Sequence, residues 1–145
     1  MYRLSSSLLL VVCILFAGCG SGPVADETQG DSFVQLNAIY QAYVKFTEAQ
    51  SEPPSSADDL KELLTKANQD PEKVFVSASD GEPFIVHWGA QALSPNPIPT
   101  VIAYEANGKN GQRMVMTTMG VMAMHDKEFL NSDFPKGFSP PSSSE

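Results

Sequence analysis

An α+β fold is what this sequence predicts, and three observations predict it. Apolar residues recur at helical spacing only in the first half of the region able to fold. From Lys73 onward the hydrophobic period changes to two. Turn signals rich in Gly, Asn and Asp separate the later runs. Helices first and consecutive strands afterwards define helices packed on an antiparallel meander.

The first helix is expected over residues 33–50. Ser32 and Gln35 stand at capping-box spacing, so each can satisfy a backbone amide left free at the helix start. Phe33, Leu36, Tyr40, Tyr43 and Thr47 then recur at three- and four-residue steps and define one apolar, aromatic face. Pro53-Pro54 stops the helix, because proline removes a donor and restricts the residue before it. Ser55 or Ser56 caps a second, shorter helix. Asp58 and Asp59 lie in its first turn, where carboxylates meet the positive end of the helix dipole. Leu60, Leu63 and Leu64 form its buried stripe, and Asn68 with Pro71 ends it.

Four to five strands follow, over residues 74–76, 83–88, 100–105, 112–117 and 121–124. Ser79-Asp80-Gly81-Glu82 joins the first two, a hairpin signal because Asp-Gly tolerates positive φ. Residues 89–99 form a loop carrying Pro95, Pro97 and Pro99. Asn107-Gly108-Lys109-Asn110-Gly111 ends the third strand, and the last two meet around Gly120. Asp126 caps a final short turn over residues 127–130.

The chain opens with Arg3, a Ser5-Ser6-Ser7 step and an unbroken apolar run from Leu8 to Phe16. A bilayer-spanning helix needs about 20 apolar residues, so this run is too short to span and reads as an export signal. Its end, Leu15-Phe16-Ala17-Gly18-Cys19, resembles the signal of bacterial lipoproteins, in which small residues precede an acylated cysteine. That resemblance implies cleavage after residue 18 and lipid on Cys19. It places the protein in the cell envelope, attached to the membrane through Cys19. Gly20, rather than Asp, after the cysteine fits the outer membrane, facing the periplasm or the cell surface. Phe16 departs from the usual aliphatic residue, and the alternative is an ordinary secretory signal cut near Ala17 with Cys19 a free thiol. Residues 19–30 read as a flexible tether, 31–138 as the folded domain and 139–145 as a disordered tail.

Loss of Arg3 with the signal leaves 17 acids against eight bases, a charge of −9. Such a chain repels phosphate backbones, so nucleic acid is not an expected partner. It is repelled by anionic lipid too, so attachment falls to the acyl chains. Cys13 leaves with the signal, so the domain contains no disulfide and is held by packing.

The order of motifs in the domain is familiar. Ala42-Tyr43 in a helix, Pro53-Pro54, Asp59-Leu60 and then Asp80-Gly81-Glu82-Pro83-Phe84 resemble the globular head of type II secretion pseudopilins. Ile102-Ala103-Tyr104-Glu105, Gly111-Gln112-Arg113-Met114-Val115 and Gly120-Val121 resemble the later part of pseudopilin-like heads. The resemblance covers about 100 residues and rests on turn and core patterns rather than chemistry. It implies a non-catalytic interaction domain linked to secretion or envelope assembly, with an envelope protein as partner. Three features depart from it. A lipobox and tether replace the prepilin leader and long apolar helix, Met119-Gly120 stands where the family pattern more often has Asp-Gly, and the 107–111 loop has no carboxylate to serve as a calcium ligand.

No cofactor is expected. The chain has no nucleophile-elbow, paired-histidine or phosphate-loop motif, and an enzyme would depend on His87 or His125, the only imidazoles. His87, beside Trp88, is read as a packing or hydrogen-bonding residue, and His125 as exposed. Met114 with Met116, and Met122 with Met124, lie on adjacent predicted strands, each pair projecting to a single face. Thioethers suit copper(I), and His125, or His87 with Trp88, could complete such a site; the simpler reading makes these methionines core filler. Arg113 is expected to pair with Glu105 across a hairpin. Asp58, Asp59 and Glu62 read as a solvated helix face. Pro95, Pro97, Ile98 and Pro99 form a stiff loop that either docks in a partner groove or only bridges two strands.

Overall fold

The computed structural model describes residues 27–93 and 98–141. The first helix, α1 (Glu27–Gln50), begins upstream of the expected start. Ser32 is therefore not a cap but part of the buried stripe, with Leu36, Ile39, Ala42, Tyr43 and Thr47. The stripe is rotated from the expected one, and Phe33, at its margin, is 42% exposed. The helix ends as Ser51 turns into the left-handed region (φ 61°) while its N–H still bonds the Thr47 carbonyl.

A 3₁₀ turn (Ala57–Leu60) leads into α2 (Lys61–Lys66). Its start is tied by one carboxylate: Asp59 Oδ2 accepts from the Ser55 amide at 2.7 Å, the Ser55 hydroxyl at 2.9 Å and the Ser56 amide at 3.1 Å. These bonds hold the Asp59 carboxyl below its ordinary pKa. Asn68, at φ 56°, closes α2 as its position in the sequence implies.

The expected strand at 74–76 is not a strand. Asp70 accepts bonds from the amides of Lys73 and Val74, and Lys73 from Val76, so this stretch is wound into turns. Only a Val76–Pro83 bridge remains of the hairpin, although Gly81 takes the predicted positive φ of 73°.

The sheet is an antiparallel meander of β1 (Ile85–Val86), β2 (Val101–Tyr104), β3 (Gln112–Thr117) and β4 (Gly120–His125), in that spatial order. The molecule is thus an α+β fold with four strands. A β-bulge between Val101 and Ala103 breaks the alternation of β2. It turns both Ile102 and Ala103 toward α1 and α2, and Val101 and Tyr104 to the opposite side. All four residues are consequently buried.

Both sheet faces are covered. Leu36, Ile39, Tyr43, Leu60 and Leu64 pack on Ile102, Met114 and Met116. On the other face Val101, Tyr104, Val115 and Met124 pack with Phe129 of the short α3 (Asp126–Phe129) and with Phe134. The segment after α3 is fastened by the Val101 amide bonding the Asp133 carbonyl at 2.8 Å.

Candidate functional site

Register decides which candidate residues meet. Met114 faces Ala123, Met116 faces Val121, Val115 faces Met122 and Arg113 faces Met124. Opposed residues share a face, so Met114 and Met116 point to the helix side and Met122 and Met124 to the other. The four thioethers are therefore divided by the sheet and do not form one ligand set. Met114 and Met116 are core, and the Met124 sulfur accepts the Ser132 hydroxyl at 3.2 Å. His125 is exposed, with its ring 3.3 Å from the Gln112 amide nitrogen. Among the described residues no cluster of three or more His, Cys, Asp or Glu side chains could hold a metal ion.

His87 follows β1, with its amide bonded to the Ile102 carbonyl at 2.7 Å. It is enclosed by aromatic rings. Tyr104, Phe134 and Phe138 have centroids 5.6, 5.8 and 4.1 Å away. Its Nε2 is buried without a partner, and burial lowers its pKa from 6.5. A packing role therefore accounts for His87. The neighbouring Trp88 stacks on Tyr43, whose hydroxyl donates to the Ala90 carbonyl at 2.8 Å. Burial pushes that phenol up to about 12, the backbone bonds opposing the shift. Burial also raises the Tyr104 pKa. A cavity of about 470 Å³ lies beside this cluster, lined by Trp88, Gln91, Thr100, Lys136 and Phe138 among others.

The expected Arg113–Glu105 ion pair does not form; Arg113 Nη1 donates at 3.3 Å to the backbone carbonyl of Glu105, not to its carboxylate. Glu105 lies opposite Met114 and turns to the helix side, where its carboxylate is fully buried. Oε1 accepts the Ser77 hydroxyl at 2.9 Å, and Oε2 accepts the Met114 amide at 2.8 Å. Ser77 and Ser32 hydroxyls are 3.0 Å apart, so the network joins α1, the 77–82 turn, β2 and β3. Arg113 is on the other face. Its Nε donates to Asp126 at 2.8 Å, and its guanidinium lies 4.4 Å from the Phe129 ring centroid.

Sequence reasoning points to a sheet edge or the proline loop as a partner surface without saying which edge; among the described residues the long free edge is that of β4. The Met114 carbonyl accepts the Glu105 amide, and the Thr118 amide bonds Thr100, so even positions of β3 serve β2. Odd positions serve β4, where they face Gly120, Met122 and Met124. The N–H and C=O of Val121 and Ala123, and the N–H of His125, therefore point away from the sheet. This edge has no charged residue and no proline. The opposite edge, β1, is two residues long.

Ile98 is 55% exposed and Pro99 half-buried, whereas Pro95, Pro97 and Cys19 lie outside the described residues. Among the described residues no helix is long and apolar enough to cross a membrane. No protein-family model, curated protein or solved structure matches this chain.

Proposed function

We propose that this chain is a lipid-anchored cell-envelope protein whose α+β head is a non-catalytic interaction module of the pseudopilin-head kind. The anchor is acylated Cys19 and the tether sets the reach of the head. The observation that carries the binding reading is the use of the interior polar groups. Glu105 is held by Ser77 and the Met114 amide, Arg113 by Asp126, and His87 sits in an aromatic cage. They bind the fold together rather than converge on a reacting atom. What the described surface offers instead is uncharged backbone at β4 and exposed apolar side chains at Ile98, Met119 and Met122. The order of a long helix, an aspartate-glycine turn and an antiparallel meander supports the pseudopilin-like reading.

The test is the mass and location of the mature chain. An acyl-modified N-terminal Cys19 in the envelope fraction, released by Cys19→Ser, is the expected result, and crosslinking in intact envelopes should then recover a protein partner. An unmodified Cys19 in the soluble fraction would overturn the anchoring.

A further inference from the structure

We infer that β4 is a self-pairing edge, across which two copies of this chain join their sheets about a two-fold axis. The inference rests on the interaction-module reading and names the partner as a second copy. Natural sheets protect long edges with lysine, proline, bulges or an inward charge, because free amides and carbonyls recruit another strand. The six residues of β4 carry none of these devices, although the chain as a whole has a net charge of −8. Self-association of an acidic chain through most surfaces places like charges together. Pairing β4 with its own copy does not.

The register follows from the residues that point outward. With the axis at Ala123, each Ala123 faces Ala123 of the partner subunit and exchanges both backbone hydrogen bonds with it. The His125 amide then reaches the carbonyl of the partner's Val121, and symmetry repeats the contact. A methyl group at the axis lets the strands approach. On the helix side Val121 lies against the partner's His125, and on the other face Met122 lies against the partner's Met124. Met122 is 38% exposed in the single chain and gains cover on pairing. Thioether side chains adapt readily to such a seam.

The experiment uses the full mature chain in phosphatidylcholine vesicles. Ala123→Cys is expected to form an intermolecular disulfide under mild oxidation, because Cα atoms of a hydrogen-bonded antiparallel pair lie about 5.5 Å apart, within disulfide reach. Gln41→Cys, on the exposed side of α1, is the collision control. Adding Met122→Lys, at an exposed position of the same edge, should abolish the crosslink at residue 123 while circular dichroism stays unchanged. Equal yields at 41 and 123, no yield at 123, or indifference to Met122→Lys would overturn the pairing. Flotation with the vesicles reports anchoring separately, so failure of the anchor is not confused with failure of the edge.

Discussion

Replacing Glu105 by Ala tests whether its buried network holds the helix layer to the sheet. Its carboxylate accepts from Ser77 and from the Met114 amide, and each hydrogen bond to a charged group contributes about 1.5–3 kcal/mol. After truncation the Ser77 hydroxyl can turn to Ser32 Oγ, 3.0 Å away, but the Met114 amide has no such recourse. An orphaned buried amide costs about 1–3 kcal/mol. Relief of the carboxylate's desolvation offsets part of the total. The net loss is about 2–4 kcal/mol, or roughly 8–16 °C in Tm for a domain of this size. Glu105→Gln should lose less, about 1–2 kcal/mol, because its carbonyl can keep the Met114 bond while its amide donates to Ser77. The assay is urea unfolding followed by circular dichroism and by fluorescence of Trp88, the sole tryptophan. A double-mutant cycle with Ser77→Ala should return a coupling of about 1 kcal/mol or more. A loss under about 1 kcal/mol for Glu105→Ala, or equal losses for Ala and Gln, would refute the reasoning.

Gly108→Ala should destabilise by about 1–3 kcal/mol, since its methyl would stand 2.7 Å from Asp126 Oδ1 and 2.9 Å from the Gln112 carbonyl, and the latter is backbone; the urea midpoint reads this. Because burial holds the His87 pKa below 6.5, the unfolded chain takes up its proton first. Stability is therefore full above about pH 6.5 and falls as the pH drops below it, and His87→Leu should flatten that dependence in urea titrations at pH 7.5 and 5.5. Arg113→Lys keeps the charge but loses the Nε bond to Asp126 and the flat contact with Phe129, and should cost about 1–2 kcal/mol in the same assay.

Local chemistry made much of this fold readable. The Asp80-Gly81 turn, the Asn68 stop and the Ser55-Ser56 cap depend on residues within a few positions of one another, and all three occur where the residue types require them. β3 occupies the predicted residues for the same reason, being bounded by Gly111 and the Thr118-Met119 turn. What was not readable depends on distant partners. Residues 101–104 are an apolar run without glycine or proline, so nothing local marks the bulge that buries all four. Ser32 and Gln35 match a capping box, yet they bond to residues 73–79 because the helix begins earlier. The Arg113–Glu105 expectation failed by one residue of register, which sends a side chain to the other face. The same parity divides the methionine pairs: once the turn is the two residues Thr118 and Met119, Met122 must oppose Val115.

Register also explains why an open edge and a lipid anchor are compatible in one small protein. A freely diffusing chain with an uncharged strand edge meets its copies in every orientation, and such edges seed aggregation. Under the proposed anchoring, the eight Cα–Cα steps from Cys19 to Glu27 reach at most about 29 Å, so heads are confined to a layer close to the membrane. Confinement raises the effective concentration of one head for another without any added contact. It therefore favours an edge contact too small to persist in dilute solution. The two-fold arrangement also consumes both edges it joins. What remains at either end of the combined sheet is β1, whose two residues offer little to a further strand. Pairing at β4 consequently ends at two copies, whereas a chain with two long edges would continue into a fibre.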